Sequence, residues 1–303
     1  AGDPDLNHFG AITDLNAPHR IADAIIRDSA FEGTRFLDTV YGHTLKTTSL
    51  SNATGMFGLS PTSLVFGYWY AFSPFKGRSY RFERAISGEI VGVDAIRGVH
   101  TRSRIDPLQL RRLKAFSPTG SIDDWTTDET APDGTPLVPL KNLSSLGHGS
   151  VTPDLSEQNG GVTIAYADHR ILLSLPVLRR LHFPDEASRE TPERTTAART
   201  VLASLALLGA SGMLSHGLDL RTRTLLVPEQ IDSWTVLVSH DRSEEVTITH
   251  SEVMTILDHA VDRALELGLP WNEVPVELTP SDGLLGAIRR SMRAEPVVET
   301  EEA

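Results

Sequence analysis

The sequence contains no cysteine. That excludes disulfides, thiolate metal ligands and a cysteine nucleophile, and makes a reducing cytoplasm the simplest setting. Long apolar runs are also missing. The most apolar window, VLASLALLGASGML from Val201 to Leu214, is shorter than the ~20 residues a membrane span needs and is interrupted by serines and glycines, so a buried helix is expected there and no membrane partner. The start, AGDPDLNHFG, has neither a basic cluster nor an apolar stretch and does not read as a signal peptide. A dinucleotide fingerprint, a phosphate-cradling GxxxxGK[ST] loop, HExxH and GxSxG are all absent, which removes the usual sequence grounds for several enzyme classes. Eleven histidines are present, but no pair stands at a familiar ligand spacing with a carboxylate partner, so neither metal nor cofactor is expected. His148, His169 and His240 read as exposed or turn residues. Ser239, His240 and Asp241 are consecutive, whereas the members of a catalytic triad converge from separate parts of a fold.

What is present is a globular composition, 40% hydrophobic and 22% charged, in a chain long enough for one large domain or two smaller ones. The formal charge is −12, which by itself argues against nonspecific binding to nucleic acid or to an anionic membrane. Its distribution argues the other way. Residues 76–114 hold ten basic side chains against four acidic ones, a local charge of +6 that leaves −18 for the remainder.

Periodicity predicts a short helix over APHRIADAIIRDS, from Ala17, and buried strands over PTSLVFGYW (Pro61 to Trp69) and RAISGEIVGVDAI (Arg84 to Ile96), the second with a helical start left open. Residues 117–161 are rich in Pro, Gly, Ser, Thr, Asn and Asp and read as a long loop or insertion. GGVTIAYADHRILLSL returns to strand character with a turn expected near Asp168. Thr191, Pro192 and Glu193 supply an N-cap, a proline at the first helical position and an early carboxylate for a helix through about Leu214. DLRTRTLLVP and EVTITH read as strands. Ser251 is expected to cap a helix bearing Val253, Ile256, Leu257, Val261 and Leu265 and stopped by Gly268 and Pro270. Residues 295–303 form an acidic tail. Uneven alternation, with strands outnumbering helices, predicts an α+β fold with mostly antiparallel pairing.

Two basic stretches carry the chemistry. If VHTRSRIDPL (Val99 to Leu108) is extended, the period of two places His100, Arg102 and Arg104 on one face. That face would offer donors to consecutive phosphates, while a solvated edge strand guarded by charge is the equal alternative. Upstream, FSPFKGRSYRFER interleaves Lys76, Arg78, Arg81 and Arg84 with Phe72, Phe75, Tyr80 and Phe82, a mixture suited to single-stranded nucleic acid. Phe82 is expected inside the core.

Taken together, APHRIADAIIRDS, GTRFLDT, SPTSLVFGYW, RAISGEIVGVDAIRGVHTRSRIDPL, GHGSVTP with GGVTIAYA, and DLRTRTLLVPE resemble the RAMP-type backbone subunit, of the Cas seven family, in type I-U (also called I-G) CRISPR Cascade surveillance complexes. They follow the family's order from about Ala17 to Glu229, and the run around EIVGVDAIRGVHTRSRIDPL is the most specific. The resemblance implies a modified ferredoxin-like or RRM-like palm over residues 1–303, with residues 117–161 as a finger or thumb insertion. It implies a non-catalytic subunit whose copies stack in a helical filament along the CRISPR RNA spacer, present it to a target DNA strand, and join other Cascade subunits in the cytoplasm. Specificity would then lie in base pairing while the protein reads backbone and shape. Family members carry a further N-terminal segment before the APHR-like motif, which here starts at Ala17; a shortened chain and a variant with different first elements both stay open. The expected RNA contacts are Lys76, Arg78, Arg102 and Arg104, then Arg20, Arg81, Arg97 and His100. Arg20 is included because it lies in the APHR segment, with an ion pair to Asp23 as its ordinary reading. The alternative function is a RAMP endoribonuclease, for which Asp38, Asp94, Asp106 or His100 would supply a base or metal ligand.

Overall fold

The computed structural model describes residues 11–70, 80–98, 113–143, 161–221, 224–229 and 233–293. The chain divides into two compact units, Ala1–Glu89 with Arg170–Ala303, and Ile90–His169. Helices and antiparallel strand pairs occur together, so the α+β class expected from the sequence holds.

The first unit opens where one short helix is predicted, and Asp23 divides that helix. Arg20–Ala22 form a single 3-10 turn; Asp23 is extended, and its carboxylate accepts from the Ile25 N–H at 3.0 Å to cap α1 (Ala24–Arg27). β1 (Ser29–Phe31) and β2 (Thr34–Arg35) pair through a turn in which Glu32 and Gly33 both have positive φ. α2 (Val40–Thr47), α3 (Thr54–Leu59) and α4 (Pro61–Phe66) follow. Here the structure corrects the sequence reading, because most of PTSLVFGYW is helical. Pro61 is preorganised for the first helical turn behind Ser60, and Gly67 ends the helix before β3 (Tyr68–Tyr70). β3 pairs with β4 (Tyr80–Phe82).

β5 (Ile86–Val93) carries the chain into the second unit, followed by β6 (Ile96–Arg97), β7 (Lys114–Ser117), β8 (Val138–Asn142), β9 (Val162–Thr163) and β10 (Tyr166–Leu173). β5 pairs with β10 and β6 with β9, so the chain runs extended through Asp168 instead of turning there. The expected strand over β5 forms, but it is not buried. Among the described residues its only strand partner is β10, and no layer covers Ile90, Val91 or, beyond it, Ile96. β7 and β8 frame residues 118–137, part of the long predicted loop. That loop is tied by bridges from Phe116 to Thr126 and from Thr130 to Pro136. Thr119 and Ser117 donate hydroxyls to Asp124, and these hydrogen bonds hold its carboxyl below the usual carboxylate range. Among the described residues, those buried in this unit are Ala115, Phe116, Ser117 and Leu143.

Back in the first unit come α5 (Leu175–Arg179), α6 (Pro192–Leu214), β11 (Leu218–Arg221), β12 (Thr224–Leu226), β13 (Ser233–Ser239), β14 (Arg242–Thr247), α7 (His250–Glu266), β15 (Thr279–Pro280) and α8 (Asp282–Arg293). α6 begins as its sequence dictates, with Pro192 at its start and the Thr191 hydroxyl accepting from the Arg194 N–H at 3.2 Å. Its 23 residues would be long and apolar enough to cross a membrane by length and composition, yet it packs on α4 and α7 and buries Ala197, Ala198, Val201, Leu202, Ala206 and Ala210. The cap of α7 is Thr249 rather than Ser251. Thr249 and Glu252 complete a reciprocal capping box, which Ser251, two residues later and already inside the helix, cannot form. Gly268, at φ 73°, ends that helix as predicted.

The core lies in the first unit. Phe57 meets Phe183 at 5.7 Å and Trp271 at 5.8 Å, with Met56, Leu64, Val65, Val201 and Leu202 fully buried around them. Arg194 crosses this core as a structural cation. It is 8% exposed, and its Nε and Nη1 donate to the Phe183 carbonyl at 2.9 Å and the Leu267 carbonyl at 2.6 Å, joining the loop before α6 to the end of α7. Arg194→Met keeps much of the bulk but strands both carbonyls, so a loss of about 2–4 kcal/mol in unfolding free energy is expected in urea titration.

Candidate nucleic-acid interface

The candidate interface is built on the β3–β4 pair. Tyr68 stands opposite Phe82, Trp69 opposite Arg81 and Tyr70 opposite Tyr80. Side chains alternate across a strand, so Tyr68, Tyr70 and Phe82 enter the core while Trp69 and Arg81 face outward. The inward set is locked by Tyr68 stacking on Phe82 at 5.3 Å with only 7° between the rings. Gly67 sets the register. It adopts φ 70°, ψ 167°, and a Cβ there would lie 2.6 Å from the Phe82 carbonyl oxygen, so only glycine lets the two backbones approach this closely.

On the outer face the Arg81 guanidinium lies 5.1 Å from the Trp69 ring centre, and the His19 ring meets the same indole edge-on at 5.3 Å. Next in sequence to His19, Arg20 places its guanidinium 5.3 Å from the Phe66 ring centre. Arg20 has φ 53°, an uncommon left-handed conformation for a non-glycine residue. Burial first, and then repulsion from Arg84, push its guanidinium below the usual range, while Asp14 draws it upward. Two cations are thus held within electrostatic reach of each other.

The nearby carboxylates are committed elsewhere. Asp23 accepts from the backbone N–H groups of His19 and Ile25, so the ordinary ion pair expected for Arg20 does not form. Asp14 accepts from the Ser60 and Thr62 hydroxyls, and Glu83 pairs with Arg180. Among the described residues no carboxylate forms an ion pair with Arg20, Arg81 or Arg84. Arginines stacked by their faces on aromatic rings keep their N–H edges available, and such edges match phosphate oxygens in a bidentate fork.

Of the residues the sequence nominated, Arg20 and Arg81 come together here. Arg97 lies in the second unit on β6, exposed and opposite Val162. Lys76, Arg78, His100, Arg102 and Arg104 lie outside the described residues, as do Asp106 and His148. Asp94, at φ 52°, makes the bend between β5 and β6, and Asp38 ends a 3-10 turn in the first unit. Among the described residues no three His, Asp or Glu side chains cluster so as to hold a metal ion. His169 sits within β10 rather than in a turn, and its buried Nδ1 has no hydrogen-bond partner among the described residues. His240 is a highly exposed turn residue 3.7 Å from Asp241, as its local sequence suggests. Sequence reasoning did not single out Trp69 or Phe66. The signal lay in YWY after Gly67: splitting PTSLVFGYW at the glycine leaves a short strand whose middle residue must point away from its neighbours.

Residues 5–97 match the family model described as CRISPR-associated protein GSU0053, a span that contains His19, Arg20, Phe66, Trp69, Arg81 and Arg84. This match supports a CRISPR-associated role for the chain. The chain is also similar to a probable chorismate pyruvate-lyase of Alcanivorax borkumensis, with 33% identity over 127 residues. That similarity takes in 40% of this chain and spans about half, 56%, of the length of the relative.

Proposed function

We propose that the chain is a non-catalytic CRISPR RNA-binding backbone subunit of the type I-U/I-G kind, with a RAMP-type palm. In this reading, copies line up along the guide spacer, other Cascade subunits cap the array, and the guide pairs with a target DNA strand in the cytoplasm. The observation that carries the reading is the patch on β3–β4, where Arg20 and Arg81 lie against aromatic rings and, among the described residues, neither they nor Arg84 pair with a carboxylate, inside the span matched by the CRISPR-associated family. A guide-holding subunit needs sequence-independent affinity, and cations for the backbone with rings for bases supply it. The basic residues of 76–114 that lie outside the described residues would extend the same chemistry.

Labelled repeat-spacer RNA incubated with the purified protein, with and without magnesium, tests this. Binding that weakens steeply with salt and leaves the RNA intact is expected. Site-specific cleavage that is abolished by substituting one Asp or His would replace the proposal with a RAMP endoribonuclease.

A further inference from the structure

Trp69 keeps 39% of its surface exposed between two tyrosines that are each 4% exposed. It contributes little to the core, yet it is held in place by Arg81 against its ring and by His19 edge-on. Its outward position is imposed by the strand alternation and by the close approach at Gly67. A large indole fixed by its neighbours but left open beside guanidinium groups that pair with no carboxylate among the described residues has the composition of a stacking platform, because a planar ring needs an apolar face and its linked phosphates need donors nearby.

We propose that this surface takes one unpaired nucleobase of a single strand, stacked on the Trp69–Arg81 pair, while Arg20 and Arg84 hold the adjoining phosphates. The inference rests on the RNA-binding reading above and adds to it a requirement for an unstacked base. Arg81 can extend the stack, since a guanidinium lies flat on a ring from either side. His19 is a positioning residue that fixes the indole. Stacking tolerates every base because each has a π-face. A duplex offers no free base face except at its ends, so the site discriminates against paired strands. The phosphate contacts alone would not, and this separates the two components.

The test compares wild type with Trp69→Ala, Trp69→Leu and Trp69→Phe on a single strand of roughly a dozen nucleotides, on the same strand with its bases removed, and on the matching duplex. Wild type is expected to prefer the intact strand over the abasic one by roughly 5- to 150-fold, the range of one base–aromatic stack. Trp69→Ala and Trp69→Leu should lose that factor on the intact strand, bind intact and abasic strands alike, and keep the wild-type salt slope. Trp69→Phe should retain most of the preference. Melting temperatures of the variants separate loss of fold from loss of stacking. Equal loss on intact and abasic strands, or an unchanged preference in Trp69→Ala, overturns the stacking proposal and leaves the RNA-binding reading in place. Failure of wild type to bind any of the three ligands overturns both.

Discussion

The triple variant Arg20→Ala, Arg81→Ala, Arg84→Ala is expected to bind guide RNA on the order of 10²- to 10³-fold more weakly at low salt, because each lost guanidinium removes a charge-assisted hydrogen bond to phosphate. The slope of log affinity against log salt should flatten by about two units, since each single-strand phosphate contact contributes roughly 0.7. The loss should be uniform across spacer sequences, because phosphate contacts carry no sequence information. Fold is not at stake to the same degree, as Arg81 and Arg84 are exposed and neither pairs with a carboxylate among the described residues. Arg20 is half-buried against Phe66, so its single variant needs a melting curve beside the binding curve. Filter binding over a salt series reads both quantities. Unchanged affinity and slope in the triple variant would remove this patch from the RNA interface.

Gly67→Ala should have the largest effect on stability, a loss of about 2–5 kcal/mol, and should disturb the same patch from beneath. Two costs combine. At φ 70°, ψ 167° the backbone occupies a region used almost only by glycine, and the new methyl would lie 2.6 Å from the Phe82 carbonyl oxygen and 2.9 Å from the Arg84 nitrogen. Both are backbone atoms of the segment that carries Arg81, so neither can yield by a change of rotamer. Gly33→Ala is the matched control: its φ is also positive, at 78°, but nothing lies within 4 Å of its Cβ position. Only the conformational cost of about 1–2 kcal/mol should appear there. Urea titration of the two variants side by side separates strain from collision, and equal losses would show that the close approach of β4 contributes nothing.

Arg20 shows how far the sequence could be read. Its presence in a family-like motif nominated it, and its neighbour Asp23 suggested an ordinary ion pair. Asp23 instead caps α1, because the first helical N–H groups have no other acceptor, and this leaves the arginine to Phe66. Trp69 was hidden by a wrong period: the nine-residue run taken as one strand is a helix, a glycine and the first two residues of a three-residue strand. Short apolar runs are ambiguous in this way because buried helices and buried strands both lack a polar face.

The sequence by itself determined the α+β class, the start of α6 at Thr191 and Pro192, the end of α7 at Gly268, and the concentration of positive charge in residues 76–114 of an acidic chain. Each of these depends on neighbours within a few positions, through caps, fixed dihedrals or simple composition. Tertiary structure decided that β5 is exposed, that Gly67 must accept the backbone of β4, and that residues 19–20, 66–69 and 81–84 meet on one surface. Those outcomes depend on which segments pack together across long stretches of chain, and local periodicity holds no record of that choice.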